Sequence, residues 1–287
     1  MTARRDYGME NGDFMDFPAL REHARHIRIR ALQMAHYCGG NAHLGGGLSL
    51  VEAVTVLYGA VMNVKDGGLP YERKDKFILS KGHGVLGYYA ALAEFGILDE
   101  ALLDTFMRDG SDLIAHPVMN PGIGLEASTG SLGQGVSMAV GLAVAAKKKG
   151  YSYQTYALCG NGECNEGSVW EACMSAVSFG LDNFTLFVDN NRLQSDGVST
   201  GVLNVSDRYA EMLKALGFQT LDVDGNDIQQ VYDAFLTPHR KGCPKAIVGS
   251  TVKGKGVSFM ENNNDWHHNR LTREQYEAAM AELGATL

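Results

Sequence analysis

Residues 160–191, GNGECNEGSVWEACMSAVSFGLDNFTLFVDNN, leave the chain little choice of architecture. The apolar run Tyr156-Ala157-Leu158-Cys159 stops at Gly160-Asn161-Gly162, where two glycines allow a sharp turn and a close approach of backbone to a ligand. Apolar residues then recur at helical spacing over 168–179, with Gly180 where a C-terminal cap belongs. A second apolar run, Phe184-Thr185-Leu186-Phe187-Val188, has the pattern of a parallel strand covered on both faces. Asp189, Asn190 and Asn191 stand at its carboxyl end, the end that opens into the ligand crevice of such sheets. Taken alone, a G-x-G of this kind is better read as part of an ordinary strand, helix and strand with Asn in its turns, so the rest of the chain has to decide.

The alternation continues on both sides. The spacing predicts helices over 17–37, 50–62, 85–95, 100–108, 136–149, 207–216, 228–236 and 272–283. Further strands are expected over 77–79, 220–223 and 246–251, a loop over 64–75, and Ser49 as the cap of the second helix. This order specifies an α/β fold, a doubly wound, mainly parallel sheet flanked by helices. With no internal repeat or low-complexity linker, residues 1–287 read as a single domain. The 35 glycines cluster in the loops, which implies tight backbone approaches there. Histidines share those loops: His43 in Asn41-Ala42-His43-Leu44-Gly45-Gly46-Gly47, His83 in Ser80-Lys81-Gly82-His83-Gly84, His116 before Pro117 and His267 after Trp266. A lone loop histidine is usually solvated, but these form a series.

Charge and cysteine usage exclude several classes. The net charge is -8 and the densest basic run is Lys147-Lys148-Lys149 at a helix end, so nucleic acid is not an expected partner. Cys38, Cys159, Cys164, Cys173 and Cys243 are odd in number and lack C-x-x-C spacing, which fits a reducing cytoplasm. Cys164 has no charge partner close in sequence and reads as an unreactive thiol. Residues 1–14 are polar, and no stretch reads as the roughly 18 apolar residues of a membrane span, so no membrane anchor is expected.

The ordered set of loops resembles the cofactor-binding N-terminal domain of transketolases. The pieces are His43 in its glycine loop, SKGHG at 80–84, His116-Pro117, TGSLGQG at 129–135, the central unit, and KGKG at 253–256 followed by Trp266-His267. The central unit is similar to the diphosphate-binding motif of thiamine diphosphate enzymes, GDG, a helix and then NN. The resemblance implies the thiamine diphosphate-binding fold, with thiamine diphosphate and Mg2+ (or Ca2+) as cofactors. It also implies passage of a two-carbon unit from a ketose phosphate to an aldose. On the same ground, Asn161, Asn191 and the Leu193 carbonyl would ligate the metal. His83, Gly133, Gly162, Asn191 and His267 would contact the cofactor. His43, His83, His116 and His267 would line the channel, passing protons or binding hydroxyls, and Glu166 would belong to a proton relay between two cofactor sites.

Asn161 is a departure: the family places an aspartate there, and the amide keeps an oxygen while giving up a charge. The family's activating glutamate and its substrate-phosphate grip lie on a second domain that this sequence does not contain. The resemblance therefore implies the N-terminal subunit of a split transketolase, working with a separate C-terminal subunit on sugar phosphates, as a heterotetramer of two subunits of each kind. An alpha-ketoacid dehydrogenase subunit and a deoxyxylulose-phosphate synthase would share the motif, but the histidine set favours transketolase. A noncatalytic partner subunit stays open because of Asn161.

Overall fold

The computed structural model describes residues 16–64 and 70–285; the polar start at 1–14 and the centre of the 64–75 loop lie outside the described residues. Helix α1 (Phe17–Tyr37) starts where the Asp16 side chain accepts from the Ala19 N–H, with Pro18 in its first turn. There follow β1 (Asn41–Ala42), α2 (Leu44–Leu48), α3 (Val51–Val56) with a π-helical continuation to Val61, β2 (Lys76–Leu79), α4 (Val85–Glu94) and α5 (Gln134–Lys149). Next come β3 (Thr155–Gly160), α6 (Gly167–Ser178), β4 (Phe184–Asn190) and the hairpin of β5 (Leu193–Gln194) and β6 (Gly197–Val198). Then α7 (Ser199–Val202), α8 (Tyr209–Leu216), β7 (Gln219–Asp224), α9 (Ile228–Leu236), β8 (Lys245–Ser250), β9 (Asn269–Arg270) and α10 (Arg273–Glu282) complete the order.

The main sheet runs β2-β3-β4-β8-β7, all parallel. From β2 to β4 the chain steps in one direction; it then skips a place to β7 and returns to β8, so its connections cover both faces. Alternate strand residues serve two cores. Phe77, Leu79, Tyr156, Leu158, Phe187 and Ile247 pack with α1, α3, α4, α9 and α10. Ile78, Ala157, Cys159, Leu186, Val188 and Ala246 face the other way, onto α5, α6 and α8. This is the doubly wound parallel sheet that the alternation predicts. Its crevice opens at the carboxyl ends of β4 and β8, whose following connections depart to opposite faces.

Three expectations need correction. Ser49 does not cap α3: Leu50 occupies the N-cap position, and Ser49 Oγ donates to Asp189 Oδ2 at 2.6 Å. The segment after His43 is the helical turn α2, not a loop. Finally, Leu44–Val61 is long and apolar enough, by length and composition, to cross a membrane, which the sequence reading denied; yet 89% of it is buried inside the fold, against α1 and α4. It is a core helix of this domain.

Candidate functional site

A buried ionic knot forms the floor of the crevice. Lys81 follows β2, Asp189 is the penultimate residue of β4 and Thr251 follows β8, and all are buried. Lys81 Nζ pairs with Asp189 Oδ2 and donates to the Gly46 carbonyl at 2.7 Å, while Thr251 Oγ1 donates to Asp189 Oδ1. With Ser49 added, the carboxylate meets three donor groups, the condition under which a buried charge pair withstands desolvation. Because Gly46 and Ser49 flank or belong to α2, the knot straps that turn to the sheet. Glu163, also buried, accepts from Ser80 Oγ, from the Gly133 N–H at 2.8 Å and from the Gly160 N–H at 3.1 Å. Burial raises its pKa above the ordinary value, against the pull of these donors.

Imidazoles stand above the floor. Strands β1 and β9 pair antiparallel with Asn41 opposite Arg270 and Ala42 opposite Asn269, a register that sets His43 across from His268. The His43 ring centroid lies 5.3 Å from that of His83, 5.8 Å from His116, 5.6 Å from His267 and 4.3 Å from His268. His83 and His267 are 5.4 Å apart. The histidines picked out in separate loops thus share one space. A Cβ on Gly46 would stand 3.3 Å from the His83 ring, and one on Gly130 would stand 3.3 Å from the His116 ring, so these glycines make room for the imidazoles.

Crowding and burial keep His43, His83, His116 and His267 neutral. Burial, then the neighbouring His268, pushes His43 down to about 3. Burial and Lys253 push His267 down to about 4; burial and Lys81 hold His83 well below its ordinary value. His116 is lowered by burial and by His268. Lys253 Nζ lies 2.9 Å from His267 Nδ1 and 2.8 Å from Asn264 Oδ1, and burial lowers its own pKa to about 8. As the ammonium it donates to Nδ1, so the hydrogen of the neutral His267 ring sits on Nε2.

The glycine-flanked turn lies under the β5–β6 hairpin. Asn161 Nδ2 donates to the Leu193 carbonyl at 3.2 Å and to Ser199 Oγ; Asn191 Oδ1 accepts from the Leu193 N–H at 3.1 Å. The positions expected to hold a metal therefore converge on Leu193, and they bring carboxamide and carbonyl groups only. Among the described residues, no group of three or more His, Cys, Asp or Glu is placed to hold a metal ion. A half-turn of the Asn161 carboxamide exchanges Nδ2 for Oδ1. The resulting set of neutral, hard oxygens fits a hard cation that shares an anionic diphosphate.

The remaining candidates are scattered around this turn. Gly162 is half-buried, and a Cβ there would stand 2.8 Å from Gln194 Cβ. Gly133, at φ 84°, already donates its N–H to Glu163, which leaves its carbonyl for a ligand. A Cβ at that position would collide with Ser168 Oγ and press on Glu166. Glu166 itself is the N-cap residue of α6; it is exposed, and its carboxylate has no hydrogen-bond partner among the described residues. Cys164 is buried with its sulfur 3.8 Å from that of Cys159. Sequence reasoning did not single out Lys81, Glu163, Lys253 or His268 as working parts. Lys81 carried a signal, a charge between an apolar strand and a glycine. His268 carried none, because only the β1–β9 pairing places it beside His43.

Comparison with known proteins follows the same lines. Residues 21–286 match the family described as "Transketolase, thiamine diphosphate binding domain". The chain is 38% identical over 269 residues to one subunit of the apulose-4-phosphate transketolase of Actinobacillus succinogenes, covering 94% of this chain and 97% of that one. It is 38% identical over 245 residues to a 6-deoxy-6-sulfo-D-fructose transketolase subunit of Clostridium sp., covering 85% and 89%. Its fold matches the transketolase of Campylobacter jejuni with a TM-score of 0.83 at 29% sequence identity, covering 94% of this chain and 43% of that one.

Proposed function

Since the chain belongs to the transketolase family, through its thiamine diphosphate-binding domain, we propose that it is the N-terminal subunit of a split transketolase. With a separate C-terminal subunit it transfers a two-carbon ketol unit from a ketose phosphate to an aldose. The observation that carries this reading is the cluster of neutral imidazoles from His43, His83, His116 and His267 beside the diphosphate turn. The chain spans 97% of a relative named as a transketolase subunit and 43% of the Campylobacter transketolase, and the subunit naming of the first relative supports this reading. The family match over 21–286 supports treating the chain as one domain.

Bound thiamine diphosphate supplies the nucleophilic carbon and the electron sink for breaking the ketose carbon–carbon bond. This chain's residues bind, orient and move protons. Gly162 and Asn191 hold the diphosphate, and Asn161, Asn191 and the Leu193 carbonyl ligate Mg2+ through oxygen, the diphosphate bringing the negative charge that the protein ligands lack. The Lys253 ammonium adds positive charge beside the diphosphate and fixes His267 with Nε2–H as a donor. His83 also reaches the diphosphate. His43 and His116, held neutral, hydrogen-bond the sugar hydroxyls and orient them as the bond breaks. Glu166, exposed and without a partner among the described residues, relays protons toward a second cofactor site in a cytoplasmic assembly of two subunits of each kind.

The test is to purify the native complex, identify the partner and assay chain, partner and mixture with several ketose phosphates and aldoses. The chain alone should be inactive and the mixture active. Turnover by the chain alone would overturn the split. A mixture that binds thiamine diphosphate but transfers no ketol unit would favour the noncatalytic reading.

A further inference from the structure

We propose that His268 is an additional substrate-binding residue: its imidazole, at the open end of the histidine cluster, hydrogen-bonds hydroxyls of the sugar beyond the carbons that react, and so selects longer polyhydroxy substrates. The proposal rests on the transketolase reading above and names the part of the substrate that this chain recognises.

Placement is the first argument. The β1–β9 register puts His268 opposite His43, and the two ring centroids are 4.3 Å apart at an interplanar angle of 33°. Both sides of that pairing are anchored. Ala42 is buried in β1, and Trp266, two residues before His268, is buried with 4% of its surface exposed. His268 has an extended backbone, φ -150° and ψ 99°, as the chain leaves the short helical turn Asn264–His267 and enters β9. The backbone at His268 is therefore held at the channel wall.

Exposure and valence are the second argument. His43, His83, His116 and His267 are half-buried, whereas His268 is exposed, so it forms the outer layer of the cluster. Among the described residues its ring makes no hydrogen bond and no ion pair, and it lies beside the His43 ring. Both ring nitrogens remain free, one to donate and one to accept, which suits a hydroxyl group. Side by side, the His43 and His268 rings offer such pairs to hydroxyls on successive carbons. A short substrate held at the inner rings would not extend to the outer one.

The experiment uses the reconstituted enzyme with His268→Ala and His268→Gln, the second keeping a donor and an acceptor near the reach of Nε2. Acceptors are a five-carbon aldose phosphate and the two-carbon glycolaldehyde, and thiamine diphosphate binding is measured in parallel. For His268→Ala, KM for the five-carbon acceptor should rise about tenfold, the worth of one hydrogen bond, with kcat, glycolaldehyde kinetics and cofactor binding unchanged. His268→Gln should recover most of the loss. Equal kinetics with both acceptors in wild type and His268→Ala would overturn the proposal. A fall in kcat with every substrate, matching that of His43→Ala, would overturn it too, because His268 would then only prop His43. A wild-type pair that binds cofactor but transfers nothing defeats the transketolase reading, and this inference with it.

Discussion

At position 161 the side chain facing the Leu193 carbonyl carries no charge, and the energetic consequence can be read in metal dependence. Mg2+ prefers anionic oxygen, and affinity at such sites follows ligand charge. In the reconstituted enzyme, Asn161→Asp should reach half-saturation with thiamine diphosphate at lower Mg2+ than wild type. Superimposable Mg2+ titrations, or binding indifferent to chelator, would remove the metal from the site. Glu163 offers a second prediction at this scale. Its carboxylate satisfies the Gly133 and Gly160 N–H groups and Ser80 Oγ inside the fold, so Glu163→Gln turns an amide NH2 toward donors. The cost should be about 1–3 kcal/mol of stability by urea unfolding; no change would mean that Glu163 is not the acceptor for this turn. Position 161 was visible in the sequence because it breaks a motif. Glu163 was not, since a glutamate after a G-x-G turn looks like a solvated helix-start residue until Gly133, thirty residues away in sequence, is found donating to it.

Helices with apolar periodicity were legible nearly to the residue: α1 and α9 lie where their spacing puts them. The turn α2 was misread because Gly45-Gly46-Gly47 has poor helix propensity, and packing overrides it. Helix α4 comes so close that a Cβ on Gly87 would run into the Gly47 carbonyl oxygen, while a Cβ on Gly47 would stand 3.2 Å from Leu86 Cβ. Gly87→Ala should therefore cost about 1–3 kcal/mol through overpacking and loosen the turn that follows His43. Gly141, inside α5, meets nothing within 4 Å, so Gly141→Ala in the isolated chain should be stabilising by about 0.5–1 kcal/mol. Urea midpoints of the two variants, at unchanged m, decide the matter; the same sign for both would mean that close packing of α2 on α4 does not control stability. The short strands β1 and β9 escaped notice for a related reason: two-residue strands leave no periodicity, and only their pairing across the chain defines them.

For the whole molecule, the parallel sheet with helices on both faces could be inferred from alternation, but the order β2-β3-β4-β8-β7 could not, because neighbours in a parallel sheet are chosen by packing of distant segments. That order gathers the histidine loops, and gathering them leaves a signature in the pH dependence of stability. His43 at about 3, His267 at about 4 and His239 at about 4 all lie below the ordinary 6.5, with burial the largest cause in each, and His83 and His116 are lowered as well. In the unfolded chain these rings take protons near 6.5, while in the folded chain they stay neutral until far lower pH. As pH falls through that window the unfolded state binds more protons, and stability must fall with it, by at most about 1.4 kcal/mol per pH unit for each ring and by less for the half-exposed ones. Glu126 and Glu163, whose pKa values burial raises, oppose the trend, and the lowered Asp182 and Asp227 add to it only at the acidic end. Urea unfolding of the chain from about pH 7 down to about pH 4.5 should therefore show a steady loss of stability. His239, hydrogen-bonded to Thr185 Oγ1 at 3.1 Å and apart from the cluster, provides an internal check: His239→Asn should flatten the slope by one ring's share while leaving thiamine diphosphate binding intact. Stability that held level or rose on acidification would mean that the clustered imidazoles carry protons in the folded chain, and the neutral-imidazole chemistry of the channel would go with it.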